Sequence, residues 1–279
     1  MANTINLVTK FQPLLDEVYA AASLTGDLES SEVKFDGSKI VKVLKLTVPP
    51  LGTYTRNSGY TSGDVTADWE AFELTQDRGT EFSIDAMDDE ETLNMTFGKA
   101  SGEFIRVSAT PQVDAYRFAK MAGTEGIGTA SAAITTGDAA IKAISTAMTA
   151  MDEAEVTPDG RILYITPTLK GMINDLESYK SKNVLSRFAK IIEVPQRRFY
   201  SAVTIDDKGF KKGTDAKNIN FEIVDPKACF AVAKHKKLKV FAPDVNQKGD
   251  DYLFQYRLYH DMFVYPQKAA GIYAHLSTT

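Results

Sequence analysis

The chain is poor in the residues that carry most protein chemistry. Its single cysteine, Cys229, cannot close an internal disulfide, and three scattered histidines, His235, His260 and His275, leave few ligands for a zinc centre. No stretch of about 18 apolar residues runs uninterrupted, which excludes a transmembrane helix of the usual kind. The N-terminal MANTINLVTKFQPLLDEV lacks an apolar signal segment, so the expectation is a cytosolic chain with no membrane partner. Positive charge is also short: 37 acidic against 32 basic side chains give a net charge of −5. A nucleic-acid binder that relies on a basic surface is therefore disfavoured.

The motifs of catalysis are missing too. There is no G-x-S-x-G elbow and no Walker A sequence, and Cys229 lies in an apolar run that disfavours a thiolate. Gly126-Ile-Gly128 lacks the third glycine of a dinucleotide loop and follows a helical pattern, not a strand. His260 and Asp261 are adjacent in a strand-like run, where neighbours point to opposite faces and cannot easily form a dyad. No cofactor or metal is expected.

What the 279 residues do contain is 43% hydrophobic side chains, 25% charged ones and clear periodicity. Leu7, Phe11, Leu14, Leu15, Val18 and Ala22 fall on one helical face, which predicts a short amphipathic helix on an N-terminal arm. SKIVKVLKLTV at 38–48 reads as a strand stopped by Pro49-Pro50. From 52 to 80, glycines, threonines and the aromatics Tyr54, Tyr60, Trp69 and Phe72 alternate with Arg56, Asp64, Asp68 and Arg78. ADWEAFELTQD and EFSID predict two strands of an extended arm with too little apolar surface to fold alone.

DDEE at 88–91 reads as a helix start, because acidic residues favour the positive end of the helix dipole. Leu93, Phe97, Ala100, Phe104 and Val107, then Val113 and Tyr116, predict a helix of about 28 residues interrupted near Pro111. The small-residue stretch at 123–138 marks a domain boundary. Helix, strand and helix then alternate through 141–176 in an α/β pattern, with RILYITP as a buried strand. The C-terminal part returns to strands, and VDPKACFAVAKH reads as a short helix between them. KHKKLK at 234–239 reads as a strand edge protected by lysines.

Three stretches carry a resemblance. TPQVDAYRFAKMAG at 110–123, NINFEIVDPKACFAVAKHKKLKVFAPD at 218–244 and YLFQYRLYHDMFVYPQKAAGIYAHL at 252–276 resemble, in that order, the spine helix and closing strands of tailed-bacteriophage major capsid proteins. The resemblance implies an α+β chain of the Hong Kong 97 type capsid fold. It assigns 1–37 to an N-arm, 38–48 to a peripheral-domain strand, 49–84 to the extended E-loop and 85–122 to the peripheral domain with its spine helix. Residues 123–224 would be the axial domain and 225–279 the closing strands of the peripheral domain.

The same resemblance implies a structural protein, not an enzyme, that self-assembles into homo-pentamers and homo-hexamers of an icosahedral shell around double-stranded DNA. Such a shell is assembled in the bacterial host cytoplasm and becomes part of the virion. Phe11 and Leu14 of the arm, with Tyr54, Arg56, Tyr60, Trp69 and Arg78 of the E-loop, would meet neighbouring subunits. Arg197, Arg198, Lys234, Lys236 and Lys237 would form a local basic patch toward DNA or the capsomer.

The implied partners are copies of the chain, a portal, a decoration protein and non-specifically contacted DNA. The early start of the E-loop and spine leaves no room for an N-terminal scaffolding segment, implying a separate scaffold protein or none. No lysine lies between Lys45 and Lys99, so a lysine-to-asparagine weld through the E-loop is unavailable. The alternatives are an encapsulin-like compartment of the same fold and, from another class, an α+β enzyme using His260 or an acidic residue.

Overall fold

A computed structural model describes residues 22–30, 34–36, 39–57, 59–60, 62–87, 96–176, 179–247 and 249–278. The expected arm helix, with Phe11 and Leu14, and the DDEE helix start lie outside these residues. Four strands come first: β1 (Lys34–Asp36), β2 (Ile40–Thr47), β3 (Thr66–Glu73) and β4 (Gln76–Asp85). The long helix follows as α1 (Thr96–Phe104), a π-helical turn over Ile105–Ala109, and α2 (Thr110–Ala122).

Next come β5 (Gly128–Ser131), α3 (Gly137–Glu153), β6 (Ile162–Ile165), α4 (Pro167–Asn174), α5 (Tyr179–Leu185) and β7 (Lys190–Glu193). The chain closes with β8 (Val203–Asp206), β9 (Gly209–Lys212), β10 (Ile219–Val224), β11 (Cys229–Phe241), β12 (Asp251–Val264) and β13 (Ile272–Leu276). Among the described residues, no helix is long and apolar enough to cross a membrane.

The interruption expected near Pro111 is the π turn that immediately precedes it. Proline cannot donate to the carbonyl four residues back, and widening the turn accommodates its ring without ending the helix. The Thr110 hydroxyl donates to the Ile105 carbonyl at 2.9 Å across the widened turn. One side of this long helix packs on the sheet β11-β12-β4, burying Ile105 and Val113 against Leu238, Val240, Phe254, Tyr256 and Leu258.

The second large sheet runs β5-β13-β10-β6-β7. One face meets α3 and α4 through Ile141, Ile144, Met148, Leu163 and Ile223. The other buries Tyr164, Val224 and Ile272 against Phe118 of α2, Cys229 and Met262.

Three expectations change here. The arm's hairpin is β2 with β3, antiparallel from Ile40↔Glu73 to Thr47↔Thr66, while β4 turns away after Leu74 and pairs with β12. Residues 40–47 thus form one hairpin with 66–73, and 76–85 belong to the β11-β12-β4 sheet. VDPKACFAVAKH holds no helix: a turn at 226–228 leads straight into β11, whose first residues Cys229, Phe230, Ala231 and Val232 are all buried. Burial on both faces gives a continuous apolar run that periodicity cannot assign.

The closing strands also divide. β13 pairs antiparallel with β10 and parallel with β5, so the last strand belongs to the five-stranded sheet. β5 lies inside the small-residue stretch read as a domain boundary. A Cβ on Gly128 would come within 2.3 Å of the Tyr273 ring, so glycine permits this close strand approach.

Candidate inter-subunit surface

The β2–β3 hairpin has two faces with opposite fates. Val41, Val43 and Phe72 point to the body, where they pack with Leu74, Phe230, Val232 and Phe263. The Phe72 ring lies 5.6 Å from that of Phe230 and 5.1 Å from that of Phe263. On the other face, alternate residues Ile40, Lys42, Leu44 and Leu46 sit in register with Glu73, Ala71, Trp69 and Ala67. All eight are exposed, and Leu44 and Trp69 keep 46% and 60% of their surface in solvent. Toward the tip, Val48, Leu51, Tyr54, Tyr60 and Val65 are exposed as well. So many large apolar side chains exposed on one hairpin mark a candidate interaction site.

The tip is ordered by a small turn. Gly59 donates to the Thr55 carbonyl at 2.8 Å with φ +72, a conformation that glycine adopts without penalty. The turn brings the Tyr54 and Tyr60 rings to 5.0 Å and leaves Arg56 exposed at its end.

The hairpin's root is fixed by buried polar groups. Asp261, 1% exposed, accepts from the Thr75 amide at 2.7 Å, the Thr75 hydroxyl at 2.8 Å and the Tyr116 hydroxyl at 2.7 Å. The bend between β3 and β4 is thereby tied to α2. Tyr259 adds a hydroxyl bond to the Leu74 carbonyl at 2.9 Å. Burial and the Asp261 carboxylate push the Tyr116 phenol up, so it remains a donor.

A second clamp holds Leu24, Thr25 and Glu29. Asp114 of α2, fully buried, accepts from the Leu24 amide at 3.1 Å, the Thr25 amide at 3.3 Å and the Thr25 hydroxyl at 2.7 Å. Arg117, one turn on, donates to the Thr25 hydroxyl at 2.9 Å and pairs with Glu29 at 2.7 Å. Burial pushes the Asp114 carboxyl up, against the donors from Thr25 and Leu24 and the charges of Arg117 and Arg198. No periodicity argument singled out Asp114 or Arg117; two charged residues three apart on an otherwise apolar helix face were the available signal.

Of the residues expected at a subunit contact, Tyr54, Arg56, Tyr60 and Trp69 lie on the hairpin. Arg78 does not: it sits on β4 and donates to the Asp206 carbonyl at 2.6 Å within its own chain. The basic patch also separates. Arg198 pairs with buried Asp114 at 3.2 Å, and Arg197 lies 5.9 Å from the Phe210 ring centre. Lys234, 4.8 Å from the Phe35 ring centre, Lys236 and Lys237 lie on β11. The arginines and the lysines thus lie on two different elements.

His260 is buried with its Nδ1 unpartnered and its ring 5.7 Å from that of Tyr116. Burial, aided by Arg117, pushes its pKa down to about 3, so the imidazole is neutral at physiological pH. Cys229 is buried and its thiol is pushed up by burial, beyond thiolate chemistry. Among the described residues, no group of three or more histidine, cysteine or acidic side chains could hold a metal ion.

No protein-family model matches the sequence, and no curated protein matches it. Solved structures do. The asymmetric unit of the bacteriophage PhiM1 mature capsid aligns with a TM-score of 0.61 at 12% identity, covering 88% of this chain and 83% of that one. The capsid of cyanophage P-SCSP1u aligns at 0.61 and 12% identity over 92% and 89%. A virus-like particle from Pyrococcus furiosus aligns at 0.62 and 13% identity over 96% and 98%. At such identities the likeness establishes architecture, and the chain has the Hong Kong 97 type fold of tailed-phage major capsid proteins.

Proposed function

We propose that this chain is the repeating structural subunit of a tailed-phage shell, joining copies of itself as pentamers and hexamers around double-stranded DNA. The observation that carries this reading is the hairpin's outward face. Leu44 and Trp69 lie on a hairpin whose root is packed into the body, yet they stay in solvent in the single subunit, on a fold shared with capsid structures. Large aromatic and aliphatic side chains presented in this way are the residue types that anchor interfaces. The N-arm with Phe11 and Leu14 supplies a further contact, and a portal, a scaffold and a decoration protein complete the particle. Assembly takes place in the host cytoplasm and the product is the virion.

DNA is contacted without sequence readout, by local cations such as Arg197 and Lys237. The near-complete alignment with the virus-like particle supports a second reading, an encapsulin-like shell that stores cargo instead of a genome. Sedimentation velocity and negative-stain imaging of the purified chain test both. Closed shells are expected, and a population of monomers and small oligomers alone would refute the proposal. Shells that never enclose DNA in infected or induced cells would favour the cargo reading.

A further inference from the structure

We propose that the cleft enclosed by the long helix's π turn, the β4–β12 strand pair and the β8–β9 hairpin binds a small hydroxylated aromatic carboxylate, with Arg78 taking the carboxylate and His260 the hydroxyl. The cleft lies within one subunit, so this inference goes beyond the shell reading and stands or falls apart from it. Its volume is about 330 Å³, enough for a small organic ligand.

Strand register brings the two polar groups together. Arg78 of β4 lies opposite Leu258 of β12, and His260 follows Leu258 by two residues on the same face. Arg78 and His260 are therefore diagonal neighbours, about 7–8 Å apart at the backbone, which one ring substituted at opposite ends can bridge. Arg78 donates from Nη2 to the Asp206 carbonyl at 2.6 Å, its only hydrogen-bond partner among the described residues. A guanidinium carries five N–H donors, so enough remain for a carboxylate.

His260 lines the same cleft and is 2% exposed, and its Nδ1 has no hydrogen-bond partner among the described residues. Buried polar atoms are seldom left in that state. The neutral imidazole can present Nδ1 as a donor or as an acceptor, and a hydroxyl satisfies either tautomer.

Between these groups the walls suit a flat apolar ring. Phe104 and Val107 come from the helix, Tyr256 from β12 and Phe210 from β9, and the Phe104 and Tyr256 ring centres lie 5.9 Å apart, edge to face. Val107 belongs to the π turn, a distortion that recurs where helices build functional sites. The charged lining favours an anion. Arg78, Arg197 and Lys208 stand against Asp206 and Asp207, and the Asp206 carboxylate is already held by Lys211, outside the lining, at 3.0 Å and by the Lys208 amide at 2.9 Å. Because the walls come from three elements, an occupant ties the long helix to the β8–β9 hairpin and stabilises the subunit by mass action.

Isothermal titration of the full chain with 4-hydroxybenzoate tests the proposal. Saturable binding with a Kd of about 1 mM or tighter is expected for a ligand of this size, with a melting temperature that rises with its concentration. Benzoate, which leaves Nδ1 unpartnered, should bind at least about fivefold more weakly, and His260→Phe should remove that difference. Arg78→Met should weaken 4-hydroxybenzoate binding at least about tenfold through the loss of a charged hydrogen bond. Val107→Phe, at a position 41% exposed and so tolerant of a larger side chain, should fill the cleft and abolish binding. No saturable binding, equal affinity of the wild type for the two ligands, or binding that either Arg78→Met or Val107→Phe leaves unchanged would overturn the assignment. Should His260→Phe fail to fold, the benzoate comparison and the other two variants decide.

Discussion

Glu222 offers a sharp test of how the two layers of the molecule are held together. It lies on β10, level with Tyr164 of β6 and Ala274 of β13, so its side chain enters the layer between the five-stranded sheet and α2. It is fully buried and neither carboxyl oxygen has a hydrogen-bond partner. Burial therefore pushes its pKa well above the ordinary value of 4.5. The sign follows from proton binding. Below the unfolded pKa both states are protonated and Glu222 imposes no ionisation penalty. As pH rises above it, the unfolded chain releases its proton first, and stability falls until the folded pKa is reached.

Each unit of pH in that window costs about 1.4 kcal/mol at most. Glu222→Gln removes the titration, so its stability relative to wild type should be near zero at pH 4.5 and grow toward neutral pH. Glu222→Met, which also removes the unpaired polar atoms, should add about 1–3 kcal/mol. Urea unfolding of the unassembled subunit, followed by circular dichroism at several pH values, measures both. Parallel stability profiles for wild type and Glu222→Gln from pH 4.5 to 8 would refute the reasoning.

Three further substitutions bear on the remaining parts of the account. Trp69→Ala should leave subunit stability within about 0.5 kcal/mol, as for other exposed positions, yet weaken each contact by about 2 kcal/mol and reduce particle yield in sedimentation. Asp114→Ala strands Arg117, Arg198 and the Thr25 donors, and should cost about 3–5 kcal/mol in urea unfolding of the subunit. Gly128→Ala places a methyl group within 2.3 Å of the Tyr273 ring and should cost about 1–3 kcal/mol, seen as a lowered melting temperature.

Much of the architecture was legible because it rests on local periodicity. The long helix, the strand RILYITP and the alternating run that became β12 each declare themselves by spacing. Pairing is a different matter. Alternation marks both β3 and β4 as strands, but nothing local records that the bend at Leu74 and Thr75 sends them into different sheets. That bend depends on Asp261, 186 residues away.

The same limit explains β13, whose sequence resembles the other closing strands while its partners are β10 and β5. For the candidate surface, the capsid resemblance pointed to Tyr54, Arg56, Tyr60 and Trp69, and these lie on the hairpin or its tip. It did not point to Leu44 and Leu46, because only the register with β3 shows that they share Trp69's exposed face. Arg78, expected at a subunit contact, and Arg198, expected in a basic patch, have intrachain partners that no local pattern records.

The central claim is that the hairpin's outward face is completed by another copy of the chain. A cryo-electron map of the purified assembly, at a resolution that shows side chains, tests it directly. The account predicts closed shells in which Leu44 and Trp69 are buried on a neighbouring subunit. Shells in which that face remains in solvent, or a preparation that contains only separate subunits, would contradict it.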